Sequence, residues 1–332
     1  MVRSTVSIVI PIYNEFEILP ELTRRVALLI AENNEYIWEI IYVDDGSTDG
    51  STPLMEDLAE RFPWLSVIFL SRNFGHQNAT TAGIDHATGD VVVLMDGDLQ
   101  DPPELILDML LKWRQGFDVV YATRRSRYGE TKFKLYTARF FYRILQKLSD
   151  TRIPVDTGDF RLMSRKAVEA IHQMPEQNRF LRGMASWIGF KQTAVYYERD
   201  KRYSGKTKFT FSKMFRFALN GLVSFSHSPL YSILVLGIVL TCIGLSGFIV
   251  LLFKAVISNT SISGWAGAIT TILFVGGIQL ISIGVIGEYV SRIFDEVRKR
   301  PFYLVRNIKG HFVEESESKL SKAFIARTGT GG

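Results

Sequence analysis

The chain opens with a run of apolar, largely β-branched residues, VSIVIPIY from Val6 to Tyr13, of the kind found in a strand covered on both faces. Directly after it, Ile18, Leu19, Leu22, Val26, Leu29 and Ile30 recur at helical spacing. The two patterns then alternate. EIIYVDDGSTD predicts a second strand ending in acids, and Leu54, Met55, Leu58 and Phe62 predict a second helix. LSVIFLS predicts a third strand, HQNATTAGIDHAT a third helix and VVVLMD a fourth strand. Such alternation predicts an α/β domain built on a Rossmann-like, mostly parallel sheet. From residue 121 to 208 the pattern gives way to basic, irregular sequence that includes TRRSRYGETKFK, GDFRLMSR and ERDKRYSGKTKF.

A different pattern follows. Residues 217–253 and 255–287 contain no Asp, Glu, Lys or Arg, and each run exceeds the roughly 20 apolar residues that a bilayer span needs. Two transmembrane helices are predicted, over 229–253 and 264–287. Ahead of them Phe211, Phe215, Leu219 and Leu222 stand among Lys213 and Arg216, the mixture of a helix lying in the membrane interface. Arg216 on one side and Arg292, Arg298, Lys299 and Arg300 on the other flank the pair, whereas the connecting loop has only Lys254. Positive-inside anchoring then places both ends in the cytoplasm. The opening MVRSTVSIVIPIYNE lacks a signal-peptide pattern, so the amino-terminal part is expected to stay in the cytosol. The expected organisation is a catalytic domain over 1–207, an amphipathic juxtamembrane helix over 208–228, a two-helix hairpin over 229–290 and a C-terminal segment over 291–332. The polar end of that segment, ESESKLSKAFIARTGTGG, is expected to be disordered.

Composition changes this picture little. The chain has 332 residues, 22% of them charged, and its mean hydropathy of +0.10 reflects the apolar runs. A net charge of +5 beside apolar spans fits anionic lipid better than nucleic acid. Cys242 is the single cysteine, which excludes a disulfide or a cysteine-based metal site within one chain.

In parallel α/β sheets, ligands sit outside the carboxyl ends of the strands. Those ends here carry Tyr13, Asn14 and Glu15, then Asp44 and Asp45, then Asp96 and Asp98. No G-x-G-x-x-G follows the first strand, which counts against a dinucleotide enzyme. In LMDGDLQDPPE, residues 94–104, Asp96, Asp98 and Gln100 share a face if extension persists past the strand, and Gly97 leaves room for a bulky anion between the carboxylates. Such oxygen ligands suit a hard divalent cation, Mg²⁺ or Mn²⁺, that also binds substrate phosphates. An EF-hand loop does not fit, because its sixth position would be Asp101 and its twelfth Leu107. Asp101 is read as capping the turn before Pro102 and Pro103. His76, His86, His172 and His227 have no metal-ligand spacing and are read as structural or surface groups, with His311 in the tail.

IVIPIYNE, YVDDGSTD, DGDLQDPPE, TGDFRLMSR and RYSGKTKF, in this order, resemble the inverting glycosyltransferases of family 2 with the GT-A fold. The nearer resemblance is to polyprenyl-phosphate glycosyltransferases, bacterial bactoprenol glucosyltransferases above all, and it extends over nearly the whole chain. It implies a nucleotide pocket lined by Pro11, Tyr13, Glu15, Asp44, Asp45 and Asp96, with Asp45 or Asp44 meeting the base or ribose. It also implies a metal and diphosphate held by Asp96, Asp98 and Gln100. In relatives with hydroxyl acceptors an aspartate near Asp159 serves as base; here Asp159 either orients the sugar or Arg161, or acts as base. A lipid phosphate is already anionic and needs cations rather than a base. Candidates are Arg124, Arg125, Arg127, Arg139, Arg143, Arg202, Lys206 and Lys208, the R-Y-S-G-K motif foremost.

The implied reaction moves a hexose, glucose from UDP-glucose, onto undecaprenyl phosphate at the cytoplasmic face of the bacterial plasma membrane, giving a β-linked product. A homo-oligomer is expected. Close alternatives use GDP-mannose or a UDP-aminoarabinose. A processive polysaccharide synthase would carry Q-x-x-R-W and more spans, and PEQNRFLRG, residues 175–183, lacks that tryptophan. A non-catalytic membrane scaffold is disfavoured by the intact acids and basic motif.

Overall fold

The computed structural model describes residues 3–124, 157–198 and 265–310. They fall into two compact units, one holding 3–124, 157–198 and 300–310, the other 265–299.

The first unit alternates as the periodicity predicts: β1 (Ser4–Ile12), α1 (Leu19–Glu32), β2 (Tyr36–Asp44), α2 (Ser51–Arg61), β3 (Leu65–Leu70), α3 (His76–His86) and β4 (Val91–Leu94). It continues with α4 (Leu105–Arg114), β5 (Val119–Arg124), β6 (Thr157–Ser164), α5 (Arg165–His172), α6 (Leu181–Trp187) and β7 (Gln192–Tyr197). Its last strand, β8 (Val305–Lys309), follows the long helix α7 (Trp265–Arg298) of the second unit.

One eight-stranded sheet runs β7-β5-β6-β4-β1-β2-β3-β8. Its centre is parallel, β4-β1-β2-β3, and these strands are apolar on both faces because helices cover both. Val6, Ile8, Val9, Ile10 and Ile12 of β1 have no exposed surface. Helix α1 buries Leu19, Leu22, Val26 and Leu29, and the hydroxyls of Thr23 and Tyr42 satisfy each other at 3.0 Å inside this core. Helix α3 lies so close to β1 that a Cβ on Gly83 would stand 2.1 Å from Val9 Cγ1.

Two features depart from the expectation. The stretch from 121 onward was expected to be irregular, yet its described parts form β6, α5, α6 and β7. Asp159 and Arg161 interrupt the apolar period of β6, so that strand does not show in the pattern. β6 is antiparallel to both β4 and β5, and β7 is parallel to β5, so the sheet is mixed. The second departure is β8, which leaves the C-terminal segment to pair antiparallel with β3. It is short and largely exposed, as edge strands are.

Helix α7 is 34 residues long. Among the described residues no helix is long and apolar enough to cross a membrane. The expected span 229–253 lies outside the described residues, as do the interfacial helix and the C-terminal tail. The expected span 264–287 coincides with the first part of α7, many of whose side chains also lie outside them.

Candidate active site

Residues at the carboxyl ends of β1, β2 and β4 meet the start of α3 and one end of β6. Antiparallel pairing explains the last of these. Val91 lies opposite Ser164 and Leu94 opposite Arg161, so the same register continued past β4 faces Asp96 with Asp159. The sequence distance between them hides this.

Asp159 is enclosed by donors. Its Oδ1 lies 3.2 Å from Arg182 Nη2 and 3.9 Å from Arg161 Nη2. Its Oδ2 lies 3.5 Å from both His76 Nε2 and Gln77 Nε2. Burial would raise this carboxyl, but Arg182, His76 and Arg161 hold it far below the usual carboxylate range. Arg161 is itself buried and brought down to about 10 by desolvation, against the pull of Asp159. It is fixed by the carbonyls of Gly158 at 3.0 Å and Leu181 at 3.4 Å. Leu181 in turn donates its N–H to Gln77 Oε1 at 3.0 Å, locking the start of α6 to α3.

His76 bridges the two acids, because its Nε2 is also 3.5 Å from Asp96 Oδ1. Burial opposes the imidazolium, but the contact with Asp159 and the fields of Asp96, Asp159 and Asp45 raise it to about 9. Burial pushes the Asp96 carboxyl up and His76 pulls it down. Asp159, Asp101 and Asp98 add to the rise, which ends at about 6.

The acidic loop differs from a simple continuation of β4. That strand ends at Leu94, and Leu99 at φ 55° breaks the extension. The alternation expected to bring Gln100 onto the face of Asp96 and Asp98 stops there, and the Gln100 N–H donates to Asp98 Oδ1 at 3.2 Å. Gly97 turns its missing side chain inward rather than toward an anion. A Cβ there would stand 2.7 Å from Ile12 Cδ1. Asp101 does more than cap a turn: it is fully buried and accepts a short hydrogen bond from Tyr197 Oη on β7.

The donor set fits a hard cation in part. Asp96 Oδ1 is buried and accepts no hydrogen bond among the described residues, and a cation would satisfy it. No three His, Cys, Asp or Glu groups among those residues are gathered closely enough to hold a metal ion alone. A cation would draw its other ligands from substrate phosphate and water, as Mg²⁺ does.

The remaining pocket residues take distinct roles. Asp44 and Asp45 are 1% and 3% exposed, and their carboxylates face the protein. Asp44 accepts from the Ser47 N–H at 2.8 Å and from Thr52 Oγ1 at 2.6 Å. Asp45 accepts the N–H groups of Phe74 at 2.7 Å and Gly75 at 3.0 Å. The pair builds the loops after β2 and β3. Asn14, at φ 55°, ties the β1 loop to the β2 loop through Ser47 and Thr48, and the Glu15 N–H donates to Ser51 Oγ. Pro11 lies within β1 beside Val43. Tyr13 is 40% exposed at the strand end, open to solvent rather than packed beneath the sheet.

Arg124 ends β5 in register with Tyr197 of β7. Arg125, Arg127, Arg139, Arg143, Arg202, Lys206 and Lys208 lie outside the described residues. His76, read from the sequence as structural or surface, and Gln77 and Arg182, not singled out there, join this cluster. Nothing local marks them; only the packing of α3 and α6 against β6 does.

Comparison with known proteins shows what the whole chain is similar to. Residues 7–171 match the model of Glycosyl transferase family 2. The uncharacterized glycosyltransferase YkcC of Bacillus subtilis (strain 168) is 44% identical over 304 residues, covering 92% of this chain and 94% of the relative. The prophage bactoprenol glucosyl transferase homolog of Escherichia coli (strain K12) is 39% identical, over 92% of this chain and 99% of the relative. The bactoprenol glucosyl transferase of Shigella phage SfX is 38% identical over the same shares. The chain belongs to glycosyltransferase family 2 and is an enzyme of that class.

Proposed function

We propose that this protein is a polyprenyl-phosphate glucosyltransferase that moves glucose from UDP-glucose onto undecaprenyl phosphate, with inversion, at the cytoplasmic face of a membrane. The observation that carries the reading is the meeting of Asp96 and Asp159 around His76, with Arg161 and Arg182 behind Asp159. Acids that take a cation thereby stand beside cations that take an anion. The names of the Escherichia coli and phage relatives support this choice of acceptor and sugar.

Each side chain then has a task. Asp44 and Asp45 keep the two loops of the nucleotide pocket in shape, leaving the exposed ring of Tyr13 as a surface for the base. Asp96 and Asp98, with Gln100 as third candidate, would hold Mg²⁺ or Mn²⁺. That ion supplies neutralisation of the departing diphosphate. A phosphate-monoester oxygen attacks without losing a proton, so Asp159 is assigned to fixing Arg182 and His76 rather than to acting as base. Arg182 would face the acceptor phosphate, together with Arg124, Arg139, Arg202, Lys206 and Lys208 from the basic segments.

Anchoring is supported by the uncharged runs 217–253 and 255–287 and by topology. The chain pairs β7 into the sheet before these runs and β8 into the same sheet after them. Any membrane excursion between the two strands crosses an even number of times.

The test offers labelled UDP-glucose, UDP-N-acetylglucosamine, GDP-mannose and UDP-aminoarabinose separately to purified protein with undecaprenyl phosphate and Mg²⁺. Labelled lipid from UDP-glucose is expected; labelling from GDP-mannose instead would overturn the donor assignment.

A further inference from the structure

The segment that re-enters the α/β unit after Arg300 does more than finish the sheet. Its strand β8 edges β3, and the Ser71 N–H just beyond β3 donates to the Leu304 carbonyl at 2.8 Å. Ahead of β8, two consecutive aromatic residues reach elements that build the site. Tyr303 Oη donates to Asp85 Oδ2 at 2.9 Å, near the end of α3. The other oxygen of Asp85 lies 3.1 Å from His172 Nε2, at the end of α5. The Phe302 ring lies under the guanidinium of Arg179, 4.4 Å from its centroid, a spacing at which ring and cation attract.

Both contacts lead to Asp159. Helix α3, gripped by Tyr303 near its last turn, presents His76 and Gln77 from its first turn. Arg179 is 6% exposed and braces the connection between α5 and α6 by donating to the Met174 carbonyl at 2.7 Å. Three residues further on, Arg182 meets Asp159, and the Leu181 carbonyl between them receives Arg161. Among the described residues, each element other than β6 that delivers a side chain to Asp159 is contacted by Phe302 or Tyr303 directly or through Arg179.

We propose that Phe302 and Tyr303 are positioning residues for the glycosyl-transfer site, acting through Arg179 and Asp85 to fix α6 and α3 around Asp159. The proposal rests on the reading of Asp159 as part of that site. It gives the segment behind the long helix a function: the point of return also sets the geometry of the acids and arginines.

The test compares full-length wild type with Phe302→Leu, Phe302→Tyr and Tyr303→Phe. Amide hydrogen exchange is followed without substrate, alongside UDP affinity and steady-state transfer. Phe302→Leu keeps an apolar side chain and removes the π face, and Tyr303→Phe removes one hydroxyl. Both should speed exchange in peptides covering 176–184 or 76–82 and lower kcat about tenfold, since small misplacements of catalytic groups cost that much or more. UDP affinity should fall less than kcat, because Asp44 is held by Ser47 and Thr52 of its own loop, away from α3 and α6. Phe302→Tyr should stay within about twofold of wild type, as it retains the ring beneath Arg179. Unchanged exchange in those peptides, equal losses in the Leu and Tyr variants, or a parallel fall in UDP affinity and melting temperature would overturn the proposal. The exchange arm needs no substrate, so an error in the sugar or acceptor assignment would leave it intact.

Discussion

Asp96 and Asp98 flank a glycine whose hydrogen faces the core, and this contact sets the height of the acidic loop above β1. An added methyl at Gly97 meets Ile12 Cδ1 at 2.7 Å and the Pro11 carbonyl at an ordinary 3.4 Å. Gly97→Ala is expected to fold but to lose at least about tenfold in transfer rate. Ile12→Val in the same chain removes the clashing atom and should recover most of that loss, measured as kcat/KM for the donor. No recovery would mean that the loop height is set elsewhere. At this scale Asp96 and Asp98 were legible because acids at the end of an apolar strand are conspicuous, whereas Asp159 stood out only through the family resemblance of TGDF. His76 was not legible, since a histidine opening a helix carries no sign of what faces it across the sheet. Asp44 and Asp45 were legible as acids at a strand end but not in orientation; Asp44 turns to Ser47 and Thr52 of its own loop, and the inward bonds of Asp45 depend on where the Ser71–Gly75 turn packs.

Among the elements, those with pure periods could be read directly. β1 through β4 and α1 through α3 follow their apolar patterns to within a few residues. β6 and β8 were hidden for different physical reasons: β6 buries the charged Arg161 among its apolar residues, which breaks the run, and β8 is an edge strand, VRNIK, that needs few apolar positions. Helix α3 joins these hidden parts, and at Asp85 it is tied to both Tyr303 and His172. Burial would raise the Asp85 carboxyl, but His172, Arg179 and Tyr303 bring it below the ordinary 3.8. A depressed carboxyl stabilises the fold above its unfolded pKa, and the contribution is lost as pH falls through the lower folded value. Asp85→Asn should therefore be less stable than wild type at pH 7, by about 1–3 kcal/mol for a charge-assisted buried contact. The gap in denaturation midpoint should close below about pH 4. A gap independent of pH would show that the ionised carboxylate is not what holds α3, α5 and the return segment together.

For the molecule as a whole, the α/β class was legible because strand and helix periods alternate from the first residues onward. The mixed sheet order was not, because it follows from β5, β6 and β7 pairing across long separations. The return of the chain at β8 adds a constraint that composition alone lacks. If residues 211–299 enter a bilayer, reporters at the amino terminus and just after Gly310 must lie on the same side, with the uncharged neighbourhood of residue 258 on the other. Cysteine labelling of a Cys242→Ser background in sealed vesicles measures this, and opposite faces for the two ends would contradict an even number of crossings. The central claim is the transfer itself. It is tested most directly by incubating wild type and Asp96→Asn with labelled UDP-glucose, undecaprenyl phosphate and Mg²⁺, then counting label in the lipid. The account predicts a glucosylated lipid from wild type and at least about a hundredfold less from the variant. No labelled lipid from wild type, or equal label from both proteins, would contradict it.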